Sequence, residues 1–146
     1  GRIRVVEMAL QSFQGGLYDA IVCNPPFYAG TLRSKTAART MARSAETLPF
    51  ADLFRHAARL LADGGAFSVV VPAALHSEFD AEAAFAGLWP RRVCMVKSVP
   101  RKAPGRCLLE YGKRSPARVD EAEEYLNNAD MTRSEWYAGL TEEFYL

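Results

Sequence analysis

One short stretch in the middle of the chain, Ala66-Phe67-Ser68-Val69-Val70-Val71, limits the fold more than any other. It is bounded by Gly64-Gly65 and Pro72 and reads as a strand, its Val69-Val70-Val71 continuous as in strands buried on both faces. Comparable strand-like runs lie at 3–6, 18–23, 93–99 and 107–111 and alternate with segments of helical period. That alternation is the pattern of an α/β fold, a mostly parallel sheet covered by helices.

The clearest helical stripe is Phe50, Leu53, Phe54, Ala57, Leu60 and Leu61, which predicts a helix over 49–61 with Pro49 in the first turn and Gly64 or Gly65 as a left-handed stop. A weaker helix is expected over 78–88, ended by Trp89-Pro90. Residues 98–105, with Pro100, Arg101, Lys102, Pro104 and Gly105, read as an exposed basic hairpin connection. Residues 121–126 fit a helix by propensity or a strand by their neighbours, and 134–140 fit a short helix capped by Thr132 or Ser134.

With 146 residues, 49% hydrophobic and 24% charged, the chain has the size and composition of one globular domain. No apolar run is long enough to span a membrane, and Gly1-Arg2-Ile3-Arg4 is not a secretory signal, so a soluble cytoplasmic protein is expected. Cys23, Cys94 and Cys107 have no C-x-x-C spacing and sit among strand-like residues, as buried thiols of a reducing compartment do. The formal net charge of +1 hides a polarity: residues 28–118 carry 15 Lys+Arg against 7 Asp+Glu, and residues 119–146 carry one Arg against 8 acids. Such asymmetry suggests a polyanionic partner for the middle of the chain and a differently oriented face for the tail, with simple solvation of the charges as the alternative. The chain opens without Met directly on a strand-like run, as a piece of a longer polypeptide would.

The chemistry is concentrated where Tyr18-Asp19-Ala20-Ile21-Val22-Cys23 runs into Asn24-Pro25-Pro26-Phe27. Asn24 then lies at the carboxyl end of a buried strand, the edge at which open α/β sheets bind ligands. Two prolines fix φ at both positions and make the loop stiff. An aromatic amine attacks a methyl sulfonium poorly because its lone pair is delocalised into the ring. Its N–H groups must donate to fixed oxygens that favour sp³ character, and the Asn24 side-chain carbonyl with the Pro25 backbone carbonyl can supply both. Phe27 offers a face for a planar base, a contact worth about 1–3 kcal/mol per base. Positioning then supplies most of the rate.

Asn-Pro-Pro-aromatic after an apolar strand resembles the corresponding motif of class I S-adenosylmethionine-dependent methyltransferases that act on amide or amino nitrogens. Residues 64–72 resemble that family's fifth strand, and Arg92-Val93 onward its closing antiparallel hairpin. Three segments, 39–43, 106–111 and 140–146, make the layout similar to the bacterial family that methylates the exocyclic amine of an adenosine beside the anticodon of valine tRNA. The resemblance implies a partial Rossmann-like fold, with 1–146 as the C-terminal part of a methyltransferase domain. It also implies S-adenosyl-L-methionine as cofactor, a tRNA substrate and Asn24, Pro25, Pro26 and Phe27 as catalytic residues. Ala9, Leu10 and Asn24 would line the cofactor pocket, although Glu7-Met8-Ala9-Leu10-Gln11 stands where many relatives carry an Asp. No G-x-G-x-x-G cradle occurs in the sequence, so the main cofactor loop would belong upstream. Two further strands would also belong between 3–6 and 18–23. Residues 3–6 should therefore fray, pair with another chain or join the missing polypeptide, and not bond directly to 18–23.

Arg33, Lys35, Arg39 and Arg43 follow the motif and would grip phosphates beside the target base, contacts that position without specifying. Arg91, Arg92, Arg101, Lys102 and Arg106 form a second basic group with the same candidate role. His56 and His76 lack partners at metal-ligand spacing, and Ser68 and Ser77 lack a G-x-S-x-G context, so neither a metal site nor hydrolase chemistry is expected. Two alternatives stay open: methylation of a protein glutamine by the same loop, and a non-enzymatic RNA-binding fragment.

Overall fold

A computed structural model describes residues 2–25 and 49–144. Five strands form one sheet: β1 (Tyr18–Cys23), β2 (Leu61–Pro72), β3 (Trp89–Lys97), β4 (Arg106–Gly112) and β5 (Asp120–Tyr125), in the spatial order β1-β2-β4-β3-β5. Strand β1 runs parallel to β2, β4 runs antiparallel to both β2 and β3, and β5 runs parallel to β3. Among the described residues the α-helices are α1 (Phe50–Leu60), α2 (His76–Phe85) and α3 (Glu135–Thr141).

Helices α1 and α2 cover one face of the sheet, where Leu53, Phe54, Ala57, Phe79 and Ala83 meet Phe67, Val69, Val71, Val93, Leu109 and Tyr111. Fully buried Phe54 is the hub. Its ring lies 5.5 Å from Phe67, 5.5 Å from Phe79 and 5.2 Å from Tyr111, each edge to face. In this geometry the positive edge of one ring meets the negative face of another, adding to plain burial. Tyr111 O–H donates to Asp80 Oδ1 at 2.8 Å, which fastens α2 to β4.

Several element ends differ from those expected. Helix α1 starts after Pro49, whose carbonyl accepts from Leu53 N–H at 3.0 Å, and passes straight into β2 at Leu61 without a glycine stop. Gly64 and Gly65 lie inside β2, and Gly65 is needed there for another reason. A Cβ on it would sit 2.9 Å from the Tyr18 carbonyl oxygen and 3.0 Å from that of Asp19, so the close approach of β1 excludes a side chain. Helix α2 is stopped by Gly87 at φ +75° and not by Trp89-Pro90. Leu88 N–H reaches back to the Ala83 carbonyl at 2.8 Å, the hydrogen bond of a Schellman cap. Trp89 and Pro90 open β3, with a bulge between Pro90 and Arg92 that accommodates the missing donor.

Residues 3–6 form no strand; Ile3 and Val5 are exposed and 3–6 makes no ladder with β1. Strand β1 is consequently an edge of the described sheet, mostly exposed to solvent, and not the buried strand that its apolar run predicted. The acidic tail settles as strand β5, and α3 is capped by Ser134 rather than Thr132. The buried Ser134 hydroxyl accepts from Tyr137 N–H at 3.1 Å and donates to the Tyr125 carbonyl at 2.6 Å, joining α3 to the end of β5.

Candidate active site

Strands β1, β2, β3 and β5 point the same way, so their carboxyl ends share one rim of the sheet with the start of β4. Asn24 and Pro25 follow directly from β1 at that rim. Pro25 is buried and Asn24 is exposed, so the ring anchors the loop while the amide faces outward. Among the described residues, no hydrogen bond occupies the Asn24 side chain. A rigid backbone carrying an uncommitted carboxamide is what is needed to receive the N–H of an outside amine. Pro26, Phe27, Arg33, Lys35, Arg39 and Arg43 lie outside the described residues.

Ala9 caps a short 3-10 turn at Leu10–Ser12, and half-buried Leu10 packs against the α1 side of the core. The turn is held at its far end by Arg59, which donates to the Phe13 carbonyl at 2.8 Å, while Phe13 stacks on Tyr18 at the start of β1. No hydrogen bond among the described residues joins Ala9 or Leu10 to Asn24.

The second basic group separates into two. Arg92 sits in the cross-strand row Val22, Ser68, Glu110, Arg92, Asp120, three strands away from β1, and its Nε pairs with Asp120 at 3.2 Å. Arg91 lies 3.8 Å from Glu110, and Lys97 is paired with Glu123. Arg101, Lys102 and Arg106 are at the Asn24 rim and have no carboxylate partner among the described residues. Residue spacing alone could not separate these two sets, because the partners Glu110, Asp120 and Glu123 come from other strands.

The three thiols are free. Burial pushes the Cys107 thiol up to about 11, with Asp80 and Cys94 adding to the shift, and burial also raises Cys23 and Cys94. Protonated thiols of this kind are poor nucleophiles. His76 Nε2 lies 3.2 Å from Asp80 Oδ2, one turn along α2.

On the face opposite α1 and α2, a groove of about 490 Å³ runs from Val22 across Val70, Leu108 and Cys94 to Trp136 and Leu140 of α3. Val22 is 80% exposed there. Among the described residues the sheet thus has one face covered by α1 and α2 and one covered only in part, by α3.

No family model matches the chain. Among solved structures, a predicted O-methyltransferase of Agrobacterium tumefaciens superposes with a TM-score of 0.60 at 17% identity, over 86% of this chain and 51% of that one. A putative class I S-adenosylmethionine-dependent methyltransferase of Listeria monocytogenes gives 0.54 at 15% identity, over 92% and 44%. The chain carries part of the class I methyltransferase fold. In sequence, the chain is 34% identical over 145 residues to the tRNA1(Val) (adenine(37)-N6)-methyltransferase of Tolumonas auensis. It is 35% identical over 147 residues to the enzyme of the same name from Aeromonas hydrophila. Each match takes in 99% of this chain and 61% of the relative, so the chain spans about three-fifths of the length of these curated relatives. Similarity to that group and a mixed α/β methyltransferase sheet are what the Asn-Pro-Pro-Phe resemblance led one to expect. No helix among the described residues is long and apolar enough to cross a membrane.

Proposed function

We propose that this chain is the acceptor-holding part of an S-adenosyl-L-methionine-dependent methyltransferase that modifies the exocyclic amine of an adenine in tRNA. The observation that carries the reading is Asn24-Pro25 at the carboxyl end of a parallel strand of this fold, with Asn24 exposed and its amide unbonded among the described residues. The names of the relatives and the basic character of 28–118 favour an adenine in RNA over a protein glutamine, whose amide the same loop chemistry would serve.

In this reading Asn24 Oδ1 and the Pro25 carbonyl accept the two N–H groups of the amine, drawing its nitrogen out of conjugation and aiming the lone pair. S-adenosyl-L-methionine supplies a methyl carbon made electrophilic by its sulfonium. Transfer of that methyl group, with the sulfonium leaving as the neutral thioether, would make the amine cationic. The same two oxygens stabilise its protons until one departs to water, an interaction stronger in the transition state than before it. Phe27 stacks the base, which must leave its neighbours to reach the pocket.

The chain's fit to the cofactor is one-sided. Asn24, Ala9 and Leu10 are the residues assigned to it, and the sequence holds no glycine-rich cradle. The rest of the pocket is assigned to residues preceding Gly1 in a longer natural polypeptide, which would extend the sheet along the free edge of β1. Arg33, Lys35, Arg39 and Arg43 are assigned to RNA phosphates. A cytoplasmic location goes with a tRNA substrate and free thiols.

The test is Asn24→Ala in the natural full-length protein. Methyl transfer to tRNA should fall by at least about 100-fold, the scale of losing one preorganised polar contact to the reacting centre, with RNA affinity unchanged. Near-normal turnover would remove Asn24 from the acceptor site, and methylation of a glutamine peptide in place of RNA would replace the substrate.

A further inference from the structure

We infer that the β3–β4 hairpin is a phosphate clamp for the RNA strand flanking the target base, with Arg101, Lys102 and Arg106 as its contacts and Arg91, Arg92 and Lys97 excluded from it. The inference rests on the RNA reading above and adds the surface that holds the strand. Residues 83–109 carry six Lys and Arg and no Asp or Glu, which by sequence alone is one undivided basic stretch. The fold sorts these six by partner. Arg91 faces Glu110, Arg92 faces Asp120 and Lys97 faces Glu123, so three of the charges are answered within the sheet. The other three, all exposed, meet no carboxylate among the described residues.

Those three also share the rim of Asn24. Cys23 is level with Val69, so Asn24 is level with Val70 and, across β2 and β4, with Leu108. Arg106 is two residues farther along, opposite Pro72 and Val96. At about 4.8 Å between strands and about 3.3 Å per residue, the Asn24 and Arg106 backbones are roughly 12 Å apart. That is the axial length of roughly three to four stacked nucleotides at about 3.4 Å each, before either side chain extends. A base held at Asn24 therefore brings phosphates a few nucleotides away within reach of Arg106 and of the hairpin tip beyond it.

The hairpin is built to hold its cations in place. Gly105 N–H donates to the Val96 carbonyl at 3.0 Å, Lys102 N–H to that of Val99 at 3.1 Å, and the Gly105 carbonyl accepts from Ala73 N–H at 3.3 Å. Val99 is buried beneath the turn, and Pro100 and Pro104 restrict its backbone on either side. A preorganised turn loses little entropy on binding, unlike flexible basic segments.

The experiment measures binding of a stem-loop RNA with an unpaired adenosine to the natural full-length protein across a salt series. Replacing Arg101, Lys102 and Arg106 together by Gln should weaken binding by about 10- to 100-fold at 0.1 M salt. It should also flatten the slope of log affinity against log salt by about 2, since each lost contact to a single strand removes about 0.7. Arg101→Lys with Arg106→Lys should keep the wild-type slope, because counterion release counts charge. Arg91→Gln with Arg92→Gln should leave the slope unchanged. KM for RNA should rise in the triple variant with kcat retained, the signature of binding shared by ground and transition states. An unchanged slope in the triple variant of an RNA-binding wild type overturns the clamp and leaves the RNA reading intact; a wild type that binds no RNA overturns both.

Discussion

Gly65 shows how little a single position can reveal before its neighbours are known. In the sequence, Gly64-Gly65 after an apolar-periodic segment has the form of a helix stop, yet the two glycines sit inside β2. The constraint on Gly65 comes from the Tyr18 and Asp19 carbonyls and from Leu61 Cδ1, which a Cβ would approach to 2.9 Å. Two of those three partners are more than forty residues away, so no local pattern encodes the requirement. Gly65→Ala must push β1 outward or bend β2, and overpacking of this kind costs about 1–3 kcal/mol. Denaturant unfolding measures the loss, and amide exchange locates it: β1 amides should lose protection while those of β3 and β4 keep theirs. Gly64→Ala, where a Cβ meets nothing, is the matched control. Equal behaviour of the two variants would contradict the close-approach account.

At the scale of elements, what was readable depended on where each element gets its stability. Helix α1 was visible because its own stripe, Leu53, Phe54, Ala57 and Leu60, is the buried face, so the period in the sequence is the period of the packing. Strand β5 was ambiguous because Asp120, Glu121, Glu123 and Glu124 have poor strand propensity, and its pairing comes from β3 through Arg92–Asp120 and Lys97–Glu123. The strand expected at 3–6 has the right composition and no ladder partner among the described residues. Composition cannot report whether a neighbour is present. The motif at Asn24 was readable for the opposite reason, since its chemistry is local to four consecutive residues. Because α1 presents one aromatic to three others on α2, β2 and β4, Phe54→Ala should be the costliest truncation in the chain. It should lose about 3–5 kcal/mol, as deletion of a fully buried aromatic does. Phe85, 89% exposed at the end of α2, should tolerate the same change within about 0.5 kcal/mol. A Phe54→Ala midpoint close to wild type in urea would mean that the aromatic hub does not hold the layers together.

For the molecule as a whole, the two faces of the sheet pose the question that matters for function. One face is sealed by α1 and α2, and the other leaves Val22, Val70, Leu108 and Cys94 lining a groove walled by α3. Among the described residues β1 also has no partner on its outer edge, and sheets with parallel strands are ordinarily covered on both faces and protected at their edges. The proposal that preceding residues add strands beside β1 and cover this face accounts for the open edge, the open face and the missing glycine-rich cradle together. It predicts that residues 1–146 alone give no heat of S-adenosyl-L-methionine binding in calorimetric titration and no methyl transfer. The natural polypeptide extended upstream should bind the cofactor and turn over. It predicts as well that an apolar dye binds residues 1–146 and is excluded by the extended form, because Val22 and the groove become interior. The dye result separates two failures: exclusion without cofactor binding would leave the sheet completion standing and remove the methyltransferase reading. Cofactor binding by residues 1–146 alone would show that Ala9, Leu10 and Asn24 suffice, and the division of the active site between this chain and preceding residues would fall.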